Sequence, residues 1–369
     1  MSDFLFVTWD GGGNVPPALG IAAELASRGH GVRFLGHEGN REAVTNRGLS
    51  FAPYENALPF SSRELNPPER MAEIFNDAGI AADMLEHARR TPTDVVVIDC
   101  LMLNALATAQ AEGLTYVPLE HLFDHYLREY WVRGPWGGVA EARGYSPLVA
   151  LDAAPLTLVA TLAQLDPAAK GPTPENLVFT GPVLSASAPR ELSSLEPNIL
   201  VSLSTYNFPG QTESMQQILE AVDGLPAKVV VTTGPVIDGA ALRVPANAEL
   251  HGYVDHDLLM PEATLVIGHG GHATSMRALA HDLPLLVMPQ HPMLDQTMVG
   301  SAVQEAGAGR LLAQETTADE IRPVIEELLA VGPHRAAAAR LGELIRSAHG
   351  AATAADELLG VVKNGVPRG

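Results

Sequence analysis

Cysteine is nearly missing from this chain of 369 residues. Cys100 stands alone, which rules out an intrachain disulfide and a cysteine-based zinc site, and fits a reducing, cytoplasmic setting. Positive charge is scarce too: Lys and Arg number 23 against 43 Asp and Glu, a formal net charge of −20. A surface this acidic repels phosphate backbones and anionic bilayers, so neither nucleic acid nor membrane is expected as a partner. A small phosphorylated ligand stays open, because a local pocket can oppose the global field. Long apolar runs are absent as well. Asp99 interrupts the run after Asp94 and Asp152 the run after Pro147, so none reaches the ~20 residues that span a bilayer. Asp3 stands where a signal peptide needs positive charge. What is present, 46% hydrophobic residues with 34 glycines, builds large buried cores in a soluble globular protein. At roughly 150 residues per domain the length suggests about two domains.

Short apolar runs alternate with segments of helical period from end to end, the pattern of parallel βαβ units. Phe4–Thr8 reads as a buried strand. A glycine-rich turn over Asp10–Val15 then leads into Pro16-Pro17, suited to a first helical turn, and the helix stops at Gly29. Val32–Leu35, Phe51–Tyr54, Val95–Ile98, Tyr116–Leu119 and Leu156–Val159 follow as strands, with a helix from about Leu101 to Glu112. Residues 181–198 are small, polar and proline-punctuated, as interdomain segments are. After them the alternation restarts: strands at Ile199–Leu203, Lys228–Val231, Glu249–His251, Leu265–Ile267 and Leu285–Met288, and helices over 211–223, from Gly271, over 294–306, and across 318–330 and 335–363. The expected fold is α/β, two Rossmann-like doubly wound domains facing a cleft at the C-terminal ends of their sheets.

Two stretches break the alternation, residues 55–70 and 120–146. Long insertions on the rim of α/β domains carry ligand contacts, so these are expected to wall a substrate site. Phe60, His121, Phe123, Tyr126 and Trp131 are its candidate acceptor contacts. Aromatics are only 5% of the chain, yet six fall between Phe123 and Tyr145. Ordinary packing of an irregular segment is the competing reading.

Residues 264–296, TLVIGHGGHATSMRALAHDLPLLVMPQHPMLDQ, carry the most chemistry. A strand ends near His269, two glycines let the backbone turn tightly, and Thr274 falls in the first turn of a helix. Unpaired amides and the positive helix end make such a turn a diphosphate cradle that needs no metal. His269 can add a ring N–H. Asp295-Gln296 opens the next helix, with a carboxylate and an amide suited to sugar hydroxyls.

This constellation resembles the nucleotide-sugar site of GT-B glycosyltransferases of family 1, the bacterial natural-product type. The family's His-Gly-Gly-x-Gly-Thr, then Pro, then Asp-Gln is met by His269-Gly270-Gly271-His272-Ala273-Thr274, Pro289 and Asp295-Gln296, with Ala273 a mild departure. Gly252-Tyr253-Val254-Asp255-His256 looks like the segment that reads the nucleotide base, and Ser204-Thr205 and Thr232-Thr233-Gly234 echo the family after two further strands. The resemblance implies an acceptor-binding N-terminal domain (1–185), a linker (186–198), a nucleotide-sugar-binding C-terminal domain (199–350) and a final helix (351–369) packing back on the first domain. It implies that Thr205, Thr233, Tyr253, Val254, His269, Gly270, Gly271, Thr274, Asp295 and Gln296 hold a dTDP- or UDP-linked sugar. That sugar passes in one inverting displacement to a small, partly aromatic acceptor, with no metal and no cofactor beyond the nucleotide sugar. A homodimer stays open.

The family's catalytic histidine follows the first strand in Gly-His-x-x-Pro, and here that stretch is Gly13-Asn14-Val15-Pro16-Pro17. Asn14 takes no proton at neutral pH. Asp10 is the favoured substitute base. Asp99 matches the aspartate that normally orients the histidine, and His121 or His125 can reach in from the 120s segment. An acceptor acidic enough to need no strong base is a further option. A catalytically silent binding protein is the alternative reading, with the absent histidine as its evidence. Gly11-Gly12-Gly13 with Glu38 only partly matches a dinucleotide fingerprint. Asp255-His256-Asp257 reads as a helix start rather than a metal motif.

Overall fold

A computed structural model describes residues 1–64, 66–184 and 196–365 of the chain. Residues 186–195 of the expected linker lie outside the described residues. The chain divides into two compact units, one built from residues 1–62, 66–184 and the stretch from Ala348 onward, the other from residues 196–347.

The first unit holds β1 (Asp3–Val7), β2 (Gly31–Gly36), β3 (Ser50–Pro53), β4 (Val95–Asp99), β5 (Tyr116–Glu120), β6 (Thr157–Val159) and β7 (Leu177–Phe179). They form one sheet in the order β3-β2-β1-β4-β5-β6-β7, and every pairing is parallel. Strands covered by helices on both faces read as unbroken apolar runs, and Phe4–Val7 and Val95–Ile98 are buried at every position. The helix Val15–Ser27 begins with its two prolines in the first turn. It ends where Gly29, at φ +85°, turns the chain so that its N–H reaches the Ala26 carbonyl.

The final helix, Gly350–Lys363, belongs to this unit: Ala354, Ala355 and Leu358 are fully buried in the same core as Leu19, Ala22 and Leu25 of the Val15–Ser27 helix. Burying a leucine of this kind is worth about 1.5–3 kcal/mol. The helical stretch over 335–363 breaks at His349, which takes a left-handed conformation (φ +50°) between Pro333–Ala348 and Gly350–Lys363.

The second unit holds β8 (Asn198–Ser202), β9 (Lys228–Thr232), β10 (Ala248–His251), β11 (Leu265–Gly268), β12 (Leu285–Val287) and β13 (Gly309–Leu311). Their order is β10-β9-β8-β11-β12-β13, again wholly parallel. Its core packs Ile199, Val201 and Ile267 against Met215, Ile218 and Ile325. β7 and β13 are strands that the apolar runs do not reveal. Among the described residues no helix is long and apolar enough to cross a membrane.

The segment 120–146 is helical rather than an open insertion. Asp124–Tyr126 leads into a π-turn over Leu127–Val132 and then the helix Pro135–Ala142. Its aromatics mostly pack inside: Phe75 meets Trp131 and Trp136 edge-on at 4.8 and 5.9 Å between centroids, and the two tryptophans lie 5.2 Å apart. His121 and His125 share no helix, since His121 lies in the bend after β5.

Candidate functional site

In the second unit the register puts the C-terminal ends of neighbouring strands level. Gly268 pairs with Val287 and Ser202 with Thr232, so the segments after β10, β9, β8, β11 and β12 line one rim of the sheet. These segments carry Tyr253-Val254, Thr233-Gly234, Ser204-Thr205, His269–Thr274 and Asp295-Gln296 in that spatial order. After β11 the chain turns sharply. Gly270 sits at φ +84°, and a Cβ there would come within 2.6 Å of the Gln296 carbonyl oxygen. The turn therefore lies directly against the start of the next helix.

Gly271 caps the helix His272–Ala280 and has no side chain to accept its first amides. Ser275 N–H makes the bond back to the Gly271 carbonyl, and Thr274 is the third helical residue. His269 directly follows the strand, with its ring lying on Gly271, where a Cβ would be 2.4 Å from Nε2. Its Nδ1 is buried with no hydrogen-bond partner among the described residues. Burial, reinforced by nearby His256, pushes its pKa down to about 4. The neutral ring then carries one N–H to donate. Asp295 caps the second helix, Gln296–Glu305.

In the first unit the strands beside the sheet's switch point converge in the same way. Asp99 closes β4, His121 follows β5, and the register pairs Asp99 with Leu119. Asn14, at the head of the first helix, is buried, and its Nδ2 donates to Thr8 Oγ1 and the Trp9 carbonyl (3.1 Å each) and to Asp99 Oδ2 (2.8 Å). The other carboxylate oxygen accepts from the Leu101 amide at 3.0 Å and faces His121 Nε2 at 3.4 Å.

Cys100 is close by: Asp99, Cys100 and His121 each offer one ligand atom, all within 4.8 Å of one another. Burial, followed by the charge of Asp99, pushes the thiol well above its usual range. A protonated thiol beside a carboxylate whose two oxygens already accept hydrogen bonds is a poor donor set for an ion and a good one for handling a proton. Asp10 has different partners, its main-chain N–H donating to His37 Nδ1 (3.3 Å) and its carboxylate lying against Gly39. Trp9 packs on Phe60 and Phe75, at 5.3 and 5.1 Å between centroids.

The family model described as "Erythromycin biosynthesis protein CIII-like, C-terminal domain" matches residues 216–358. Over nearly the whole length the chain is 24% identical to the "Uncharacterized UDP-glucosyltransferase YojK" of Bacillus subtilis, covering 98% of each protein. Among solved structures, the calicheamicin glycosyltransferase CalG4 superposes with a TM-score of 0.79 at 23% identity, over 99% of this chain and 100% of that one. The glycosyltransferase VinC, solved in complex with dTDP, superposes with a TM-score of 0.75 at 21% identity, over 98% and 100%. The chain has the two-domain GT-B fold of these solved glycosyltransferases.

Several sequence-derived site residues sit differently from the expectation. Gln296 is buried, and its Oε1 accepts from the amides of Gln290 (2.7 Å) and His291 (3.1 Å). Its oxygen thus braces the preceding loop, which leaves only the amide NH2 for a sugar. Thr233 is buried with its hydroxyl bonded to the His251 carbonyl at 3.2 Å, while Tyr253 is 74% exposed, open to stacking. Phe123 and Trp131 are 0% and 2% exposed, so they pack inside the domain and present no face to an acceptor; Tyr126 is buried as well. Phe60 is half-buried beside Trp9.

Asp255 caps a short helix by accepting from the Asp257 amide at 3.0 Å, and Asp257 pairs with Arg277 at 3.0 Å, the helix start expected there. Glu38 is exposed and paired with Arg41. His37 and Trp9 drew no attention in the sequence. The only signal for them was their position just past strand ends. Both His37 nitrogens are engaged, Nδ1 by Asp10 N–H and Nε2 by the Leu58 carbonyl at 3.2 Å.

Proposed function

We propose that this glycosyltransferase moves a sugar, with inversion and without a metal ion, from a dTDP- or UDP-sugar to a small, partly aromatic natural-product acceptor in the cytoplasm. The supporting observation is the turn at 268–274. Left-handed Gly270, capless Gly271, neutral His269 with an unpartnered buried Nδ1, and Asp295 on the adjoining helix together present N–H donors and a positive helix end to a diphosphate, with a carboxylate beside them. Charge that develops on the leaving diphosphate is met by those dipoles, the task a divalent ion performs elsewhere. The UDP in one relative's name and the dTDP in one neighbour's structure agree with a pyrimidine nucleotide. Asn14, which takes no proton, favours a second reading as a binding protein without turnover.

Calorimetric titration of the full chain with UDP, dTDP, GDP and NAD, first with magnesium and then with EDTA, tests the donor site. Binding of one pyrimidine diphosphate that survives EDTA, and that weakens about tenfold (~1.4 kcal/mol) in His269→Ala, is the expected result. Absence of any binding sinks the donor assignment. Binding without consumption of dTDP- or UDP-glucose across a panel of phenols supports the second reading.

A further inference from the structure

We infer that His291 is a further donor-site residue and that its Nε2–H donates to a hydroxyl of the nucleotide-linked sugar. The inference rests on the nucleotide-sugar reading proposed above and adds a specificity contact to it. β8 and β12 flank β11 in the sheet. Phe208, past the end of β8, and His291, past the end of β12, meet with ring centroids 5.6 Å apart. The two loops therefore join across the end of β11, where the turn over His269–Thr274 begins. Gln314, past β13, ties them a second time: its Nε2 donates to the Pro209 carbonyl at 2.8 Å and to Gln290 Oε1 at 3.1 Å. His291 is also linked to the turn through Gln296, whose Oε1 accepts the His291 amide at 3.1 Å and whose carbonyl lies against Gly270.

The ring is set to donate. Its Nδ1 accepts from the Met293 amide at 3.2 Å, and an amide N–H can only donate, so Nδ1 carries no hydrogen. Burial lowers the pKa of the ring, which leaves it neutral near pH 7 with its one hydrogen on Nε2. Nε2 has no hydrogen-bond partner among the described residues. The half-buried ring cannot swing elsewhere without giving up both Phe208 and the Met293 amide.

A neutral, pre-oriented N–H suits a hydroxyl oxygen. The helix start at Gly271 and the His269 ring face the diphosphate in the reading above, and Gln296 keeps only its NH2. His291 adds a second neutral donor on the loop that carries Asp295. A sugar without the matching hydroxyl leaves Nε2–H desolvated and unpaired, so this residue discriminates between hydroxylated and deoxygenated donors at one carbon.

Calorimetry on the full chain separates the sugar contact from the nucleotide. His291→Asn keeps an oxygen near the place of Nδ1 for the Met293 amide but stops short of Nε2, whereas His291→Gln carries an amide as far as Nε2. His291→Asn should bind UDP and dTDP within about twofold of the parent, yet bind UDP-glucose or dTDP-glucose about three- to tenfold more weakly. His291→Gln should recover part of that loss. Among UDP-glucose analogues lacking the 2-, 3-, 4- or 6-hydroxyl, parent and His291→Asn should bind one alike, the one without the contacted group. Equal affinity of parent and His291→Asn for the nucleotide sugar overturns the contact. So does a loss of the same factor on the bare diphosphate, which moves His291 to the phosphates or to the loop alone, and so does a loss that persists on all the analogues. A parent that binds neither nucleotide nor nucleotide sugar removes the donor reading beneath the inference.

Discussion

Gly270→Ala puts the geometry of the turn proposed to hold a diphosphate to a quantitative test. The residue has φ +84°, and an added Cβ would stand 2.6 Å from the Gln296 carbonyl oxygen and 2.8 Å from Val287 Cγ1. An alanine in the left-handed region costs about 1–2 kcal/mol. Forcing a methyl into filled space costs a further 1–3 kcal/mol or so. The carbonyl cannot swing aside cheaply, because Gln296 opens a helix and its Oε1 is held by two loop amides. The sum is about 2–5 kcal/mol. At ~2–4 °C per kcal/mol for a unit of this size, the melting transition of the second unit should fall by about 4–20 °C in scanning calorimetry. UDP or dTDP affinity should fall with it, since the carbonyl that must move belongs to the helix that carries Asp295. Gly252→Ala is the control in the same unit: its φ is ordinary and nothing lies within 4 Å of the added carbon, so stability should change by less than about 0.5 kcal/mol. If Gly270→Ala melts within 1 °C of the parent, the tight approach of turn and helix is refuted.

Asn14→Leu removes the donor to Asp99 Oδ2 and to Thr8 Oγ1 in a buried place and should cost about 2–3 kcal/mol in urea denaturation; a loss below 0.5 kcal/mol would contradict the bonding described. Burial, with Asp124 beside it, raises the Glu120 carboxyl well above its usual range, so the folded chain keeps a proton that the unfolded chain releases. Stability then falls as pH climbs past the ordinary carboxylate range. Glu120→Gln, with no proton to lose, should match the parent near pH 4 and exceed it increasingly toward pH 8, by at most ~1.4 kcal/mol per pH unit. A gap that stays constant with pH would count against a neutral Glu120. His269 has the opposite linkage: with its pKa down at about 4 in the fold, the unfolded chain binds the extra proton, and stability drops as pH falls from the ordinary histidine value toward 4. His269→Asn should remove that slope, worth at most about 3 kcal/mol, and parallel pH profiles for parent and variant would disprove it.

How much of this was readable in advance depends on how far along the chain each feature reaches. β1 and β4 stand out because a parallel strand buried on both faces is an unbroken apolar run, whereas β7 and β13 are three residues long and gain their order from neighbours. The turn after β11 is legible because strand end, glycine pair and helix start are contiguous between 268 and 274. Gln296 is only half legible: the sequence places it at a helix start, but its amide oxygen is committed to Gln290 and His291 by a loop reversal that no local pattern encodes. The segment 120–146 misleads for a related reason. Its prolines, glycines and aromatics resemble an open loop, yet Phe75, brought in from about fifty residues earlier, packs against Trp131 and Trp136 and makes the stretch a helical wall. Asn14 is the sharpest case. Taken along the chain it is a loss, an amide where a base belongs. In the fold it donates to Asp99, and Asp99 faces an imidazole at the C-terminal end of β5. The residue opposite a missing group is found by strand order and register, so a departure from a motif on β1 has to be weighed against what β4 and β5 place beside it.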